Sequence, residues 1–210
     1  MSENQDEPWT VLRLLDWTTD FFKRKGSESP RLDAEVLLAH ARECERIELY
    51  TAFADEPGEE QRVAFREMVR RRGEGMPVAQ LVGYREFYSS RFRVNDATLI
   101  PRPETEHLVV ETLDCAKQFS LDRPLKVIDV GTGSGAIAIS VVQSCDQVDM
   151  TAVDVSEAAL KIAVWNAQKL EVADRIQFVQ SDLLSAVETP ECFDIICSNP
   201  PYVSEAEYKQ

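Results

Sequence analysis

Asn199-Pro200-Pro201-Tyr202 follows directly on the apolar run Phe193-Asp194-Ile195-Ile196-Cys197. An amide nitrogen is a poor nucleophile because its lone pair is delocalised into the carbonyl. An enzyme can still use it by binding the NH2 group through its hydrogens, which leaves the nitrogen facing an electrophile. The Asn199 side-chain oxygen can accept one of those hydrogens and the Pro200 carbonyl the other. Pro200 and Pro201 stiffen the loop so that both acceptors are preorganised, and Tyr202 offers a flat face for an amide or a base. In-line positioning then does most of the catalysis. The tetrapeptide therefore names Asn199, Pro200 and Tyr202 as catalytic candidates, with Pro201 completing the acceptor surface. Taken alone, it also reads as a proline-rich turn after a strand.

A second constellation lies upstream. The apolar run Leu125–Val130 leads into Gly131-Thr132-Gly133-Ser134-Gly135. Glycines between a strand and a helix N-terminus allow positive φ and close approach of a ligand. The spacing also fits a dinucleotide fingerprint or a tight structural turn. Acids narrow the choice. Asp129 stands two residues before the loop, Asp154 ends the next strand, and Asp182 follows the third with Leu183 beside it. Asp154 can accept both ribose hydroxyls, although Asp154 could also be a helix N-cap, a task that suits Ser156 better. Asp182 can meet an adenine amino group. Acids of this kind favour S-adenosylmethionine, with its cationic sulfonium and ammonium, over a pyrophosphate.

These motifs need a sheet to carry them. Strands are expected at Leu125–Val130, Asp149–Val153, Arg175–Gln180 and Phe193–Ser198, with helices at Ala136–Ser144 and Glu157–Lys169. The alternation implies a parallel α/β sheet. The N-terminal part reads as helical: Leu14, Leu15, Thr18, Phe21 and Phe22 recur at helical spacing, and Gly26 marks a stop. Ser29-Pro30 resembles an N-cap and first turn, ahead of a face of Leu32, Val36, Leu37 and His40. Glu59–Arg72 sets Val63, Phe65, Met68 and Val69 against Arg62, Arg66 and Arg70, an arginine stripe that is either a solvated face or a partner surface. Val78 to Ile100 is aromatic and β-branched and reads as a hairpin linking two domains. Pro101 and Pro103 then impose an extended approach to a helix running to about Phe119, with Glu104 and Glu106 near its N-terminus.

The chain has 210 residues, 44% hydrophobic and 29% charged, with a formal net charge of −14. That charge repels phosphate backbones and argues against a nucleic-acid substrate. No apolar run approaches a membrane span, and the acidic stretch from Met1 to Pro8 does not read as a secretory signal. Five scattered cysteines without a Cys-x-x-Cys pair, and two histidines, read as free thiols in a reducing cytoplasm with no metal site.

Four stretches together resemble the HemK/PrmC family, the peptide chain release factor glutamine N5-methyltransferases: Pro77 to Gly83, Leu99 to Glu106, Val127 to Gly135 and Ser198 to Tyr202. The Pro-Arg-Pro-Glu segment separates this family from DNA adenine methyltransferases, which share the amide clamp. The resemblance implies a helical N-terminal domain that recognises substrate (residues 1–76), a β-hairpin linker (77–100) and a Rossmann-like S-adenosylmethionine-dependent methyltransferase domain (101–210). Family members carry further strands after Tyr202, so this last domain is expected to be incomplete. The implied reaction is methylation of the glutamine amide in the Gly-Gly-Gln loop of a class 1 release factor. Gly131 to Gly135, Asp154 and Asn199 would border the methyl donor, and Asn199 to Tyr202 would hold the amide. Leu183 stands where some members place an aromatic residue beside the adenine. Two other readings stay open: an amino methyltransferase acting on adenine N6 or guanine N2 of a nucleic acid, and a truncated, non-catalytic binding module.

Overall fold

A computed structural model describes residues 8–187 and 192–200. The chain divides into two compact units, Met1–Val82 and Gly83–Gln210.

The first unit is helical. Helix α1 (Val11–Arg24) begins at Thr10, whose hydroxyl accepts the Arg13 N–H at 3.3 Å, and buries Val11, Leu14, Leu15, Thr18 and Phe22. Gly26 follows with φ +78°, as expected of a helix stop. Helix α2 (Pro30–Ala41) starts where Ser29-Pro30 predicts, but the Ser29 side chain makes no capping bond. Its inner face also differs from expectation. Ala34, Glu35, Leu37, Leu38 and Ala39 are buried, whereas Leu32 and His40 face outward. Buried Glu35 explains why the apolar pattern misled: its carboxylate is satisfied by Arg31 Nε at 2.8 Å and the Tyr50 hydroxyl at 2.9 Å, so a charged residue can occupy the core face. Helix α3 (Glu59–Gly73) buries Phe65, Met68 and Val69 but leaves Val63 exposed. Residues Val78–Val82 form a short helix, α4, and not a strand. Pro77 suits the first turn, where its carbonyl accepts from Gln80 and Leu81.

The second unit opens with a hairpin, β1 (Tyr84–Phe87) and β2 (Ser90–Arg93). Tyr88 and Ser89 at its tip both have positive φ, +46° and +64°, the sign pattern of a type I′ turn. Glu106 holds this unusual turn by accepting the Tyr88 N–H at 3.0 Å. Phe87 and Phe92 meet edge to face and are fully buried. After a single turn at Pro103–Thr105, helix α5 (Glu106–Ala116) leads to the sheet. Strands β3 (Leu125–Val130), β4 (Val148–Asp154), β5 (Ile176–Gln180) and β6 (Ile195–Ser198) are all parallel, in the order β5-β4-β3-β6. Helices α6 (Ala136–Ser144) and α7 (Glu157–Lys169) match the sequence reading.

One core cluster joins the hairpin phenylalanines, Val109 of α5, the apolar face of α6, Ala167 of α7 and the inward residues Val127, Met150 and Ala152. A smaller cluster, Ile128, Val130 and Val153, lies on the opposite face with Val179, Leu184 and Phe193 packed against it. Strand β6 is less enclosed than its composition suggests: Cys197 is buried, but Ile196 is 57% exposed.

Asn166 ties the hairpin to the sheet. Fully buried on α7, it accepts the Arg93 N–H at 2.8 Å and donates to the Arg93 carbonyl at 3.1 Å and the Ser134 carbonyl at 2.8 Å. It thus extends β2 as a paired strand would, while gripping the glycine loop. Asn166→Ala should lower stability by about 1–3 kcal/mol, because it leaves buried backbone groups unpaired. Urea unfolding monitored by tryptophan fluorescence checks this.

Candidate active site

The chain runs outward from β3 through β4 to β5, then returns to place β6 on the other side of β3. In open α/β sheets, ligands bind where the strand order reverses, beyond the carboxyl ends. Here that point lies between β3 and β6. Val130 pairs with Ser198 and with Val153, so Gly131, Asp154 and Asn199 all begin at one level. Two strand spacings, about 10 Å, separate the Asp154 and Asn199 ends, with the glycine loop between them.

The loop is shaped by its own hydrogen bonds. The Gly131 and Thr132 N–H groups both donate to the Val153 carbonyl at 2.9 Å, Gly133 N–H donates to Asp154 Oδ2 at 2.9 Å, and Gly135 N–H to the Thr132 carbonyl at 2.9 Å. Gly131 and Gly133 have φ of +77° and +56°, and a Cβ on either would meet nothing within 4 Å, so the loop is open on that side. Gly135, at φ +80°, is needed for another reason: a Cβ there would come within 3.1 Å of the Ala163 Cβ. Thr132 and Ser134 are buried and serve the loop from beneath.

The acids take different roles. Asp154 is half-buried. Besides Gly133 it accepts the Ser156 N–H at 2.9 Å, and Ser156, not Asp154, caps α7. Two of roughly four acceptor positions on that carboxylate are thereby used, and the others remain for a ligand. Asp182 and Leu183 are exposed, Leu183 with φ +51°. Asp129 is not a ligand-facing acid. It is wholly buried, accepts the Thr132 hydroxyl at 2.7 Å on Oδ2, and has no well-formed partner for Oδ1.

Asn199 is half-buried, and its Nδ2 donates to Thr105 Oγ1 at 3.0 Å. Among the described residues nothing donates to its Oδ1, which is the group an amide donor needs. Pro200 is exposed beside it. Pro201 and Tyr202, also expected here, lie outside the described residues. Below them, the Ser198 hydroxyl donates to the Val130 carbonyl at 2.7 Å. The Cys197 thiol is pushed well above its ordinary value by burial and donates to the Ile128 carbonyl, so it is no nucleophile. Among the described residues, no cluster of acids, histidines and cysteines could hold a metal, and no helix is long and apolar enough to cross a membrane.

The site thus combines a loop with an open side, a carboxylate with spare acceptor capacity and a carboxamide oxygen on the neighbouring strand end. This chemistry suits a cationic nucleoside cofactor such as S-adenosylmethionine. It suits a pyrophosphate poorly, because four of the five loop N–H groups, those of Gly131, Thr132, Gly133 and Gly135, are already engaged.

Comparison with known proteins agrees. Residues 13–83 match a family described as the PrmC N-terminal domain, and residues 106–210 match the methyltransferase small domain. The release factor glutamine methyltransferase of Rhodopirellula baltica is 62% identical over 208 residues, 99% of this chain and 70% of its own length. The enzyme of the same name from Koribacter versatilis is 41% identical, over 94% of this chain and 69% of its own. That from Bacillus subtilis is 40% identical, over 94% and 68%. This chain belongs to the release factor glutamine methyltransferase family. A crystal structure of an S-adenosylmethionine-dependent methyltransferase from Agrobacterium tumefaciens overlaps 56% of the chain and 39% of its own, with a TM-score of 0.46 and 23% identity.

Sequence reasoning missed two residues around this release factor glutamine methyltransferase site and misplaced a third. Thr105 was read only as part of a helix-opening segment, Asn166 gave no signal inside an amphipathic helix, and Asp129 was grouped with the ligand acids. Alternation along β3 was the available clue to Asp129, since it shares the inward face with Val127. Burial raises the Asp129 carboxyl to about 6, against the opposing pull of the Thr132 hydrogen bond. Its folded value exceeds the unfolded value of about 3.9. Its contribution to stability is therefore fully present below about pH 4 and is lost as pH rises through 6. Asp129→Asn should remove this loss. The variant-minus-wild-type unfolding free energy should increase by about 1–3 kcal/mol between pH 4 and 7, which urea titrations at several pH values would measure.

Proposed function

We propose that this protein transfers a methyl group from S-adenosylmethionine to the side-chain amide nitrogen of a glutamine, that of the Gly-Gly-Gln loop in a class 1 peptide chain release factor. Release factor methylation places it in translation termination, in the cytoplasm. The observation that carries the reading is the adjacency of Gly131 and Asn199 at the ends of two paired strands, β3 and β6. A donor loop and an amide acceptor site have to meet there.

S-adenosylmethionine supplies an electrophilic methyl group on a sulfonium. The chain's own groups do the rest by positioning. Gly131 and Gly133 leave open space along the loop. Asp154, fixed by the Gly133 and Ser156 N–H groups, turns its remaining lone pairs to the ribose hydroxyls. Asp182 and Leu183 border the adenine side. Asn199 Oδ1 and the Pro200 carbonyl each accept one hydrogen of the glutamine NH2, which aims the nitrogen lone pair at the donor. Pro201 and Tyr202 complete the acceptor surface. As the nitrogen–carbon bond forms, the methyl–sulfur bond would break with its electron pair left on sulfur, S-adenosylhomocysteine would leave as the neutral thioether, and the surplus amide proton would pass to water.

The helical unit is proposed to recognise the release factor. Supporting this is a largely apolar groove of about 530 Å³ between α1 and α3, lined by Trp17, Phe21 and Val63 and edged by Arg62, Arg66 and Arg70.

Mass spectrometry of a class 1 release factor incubated with this chain and S-adenosylmethionine should show one added methyl on the Gly-Gly-Gln peptide. Methylated RNA or DNA beside an unmodified release factor would contradict the proposal. Asn199→Ala should lower kcat by roughly 10²–10³, the cost of losing one preorganised hydrogen-bonding group. Asp154→Ala should weaken donor binding by roughly 1.5–3 kcal/mol in calorimetry. Unchanged affinity would remove Asp154 from the ribose role.

A further inference from the structure

Three large apolar side chains of the helical unit lie open to solvent around one groove: Trp9, Trp17 at 45% exposure and Val63 at 52%. The groove, between α1 and α3, has a preformed floor. Trp17 stacks on Phe21 with ring centroids 5.5 Å apart and planes 6° from parallel, and Trp9 meets Trp17 edge-on at 6.5 Å. Gly73 makes room for the Phe21 ring, since a Cβ there would come within 2.8 Å of it. Rings fixed in this way lose little freedom when a partner covers them. An exposed apolar cluster with a polar rim marks an interaction site.

The rim selects the partner's charge. Arg70 is already held by Glu67 and Glu74 at 2.7 and 2.6 Å. Arg62 and Arg66, the other arginines of the stripe, pair with no carboxylate among the described residues, and this includes Glu59 at the same groove. In a chain of net charge −14, two uncommitted guanidiniums beside an apolar groove call for acids on whatever fills it.

The lining selects the partner's backbone. Trp17, Phe21, Val63, Phe65 and Val69 offer only the Trp17 side-chain N–H for hydrogen bonding. An extended segment laid there would bury unpaired amides and carbonyls. A helix satisfies its own. Arg62 and Arg66 are about 6 Å apart along α3, which matches acids at i and i+4 on a helix lying alongside.

We propose that this groove docks an amphipathic helix of the release factor, apolar on the inserted face and carrying acids at i, i+4 spacing on the flank that meets Arg62 and Arg66. The inference rests on the methyl-transfer reading above and gives the groove a part in binding alone, none in the chemical step.

The test compares the full chain with Trp17→Ala, Val63→Glu and the pair Arg62→Gln with Arg66→Gln, in steady-state methylation of a class 1 release factor. Urea unfolding identifies any variant whose fold is lost, and the surface arginine pair keeps the test decisive if the apolar variants are. Trp17→Ala and Val63→Glu should each raise KM for the release factor by roughly 10–100-fold, as for loss of a central contact, with kcat changed by no more than about 2-fold and S-adenosylmethionine affinity unchanged. The arginine pair should raise KM by roughly 3–10-fold, and its KM should respond less to added salt than that of the wild-type chain. A benzophenone amino acid in place of Val63 should crosslink on illumination to a helical, acid-bearing segment of the release factor, located by mass spectrometry. Wild-type KM in the folded variants, kcat lost at unchanged KM, or a crosslink only to a second copy of this chain or to a non-helical segment would each overturn the inference. Wild-type chain that binds S-adenosylmethionine but methylates no release factor would overturn the underlying reading instead, so the two failures are told apart.

Discussion

The pairing of β6 along β3 is the constraint on which the candidate site depends. Side chains alternate along a strand, so a slip of one residue would carry Asn199 away from Gly131 and reverse the faces of Cys197 and Ile196. Both ends of the pairing are secured. At the start, the Arg123 guanidinium grips Asp194 in a two-pronged contact at 2.7 and 2.8 Å, and the same carboxylate accepts the Lys126 N–H. This holds the Asp194 carboxyl down at about 2. At the far end, the Ser198 hydroxyl bonds to Val130. The apolar interior alone would not choose a register so well, because Ile195 and Ile196 are interchangeable in volume and polarity.

The glycine loop shows how backbone bonding selects a cofactor class. Four of its five amides are spent on Val153, Asp154 and Thr132, which fixes its shape before any ligand arrives. What it offers outward is space, together with the unspent lone pairs of an acid. That combination welcomes hydroxyl donors and positive charge. A phosphate-binding loop has the opposite economy: it keeps its amides free and its acids distant. The two designs share glycine spacing, which is why spacing alone left both readings open.

Much of the second unit was legible because its signals are local. Strand β3 and helices α6 and α7 match the residue ranges read from the sequence, since apolar runs bounded by glycine or by the capping Ser156 leave few alternatives. Gly131, Gly133 and Asn199 could be singled out because their chemistry is rare. What stayed hidden depends on partners distant in sequence. Glu35 can lie inside α2 only because Arg31 and Tyr50 meet it there. The hairpin tip, Tyr88-Ser89, lacks the usual turn residues and depends on Glu106. Helix α4 was mistaken for a strand because four apolar residues around Gln80 fit both periods, and Pro77 was the deciding neighbour. Asp129 looked like a ligand because it adjoins the loop, but the direction of its side chain is set by the pleat.

Gly135 and Ala163 meet so closely that neither can be enlarged alone. A methyl group at position 135 would meet Ala163, and a bulkier residue at position 163 would strike the loop where α6 begins. The two positions form one steric unit across a strand and most of two helices. Drift at either position is therefore conditional on the other. Among descendants of this sequence, a side chain at 135 would require a smaller residue at 163 first and would still carry the strain of φ +80°, so substitutions at the pair should be ordered in time and not independent.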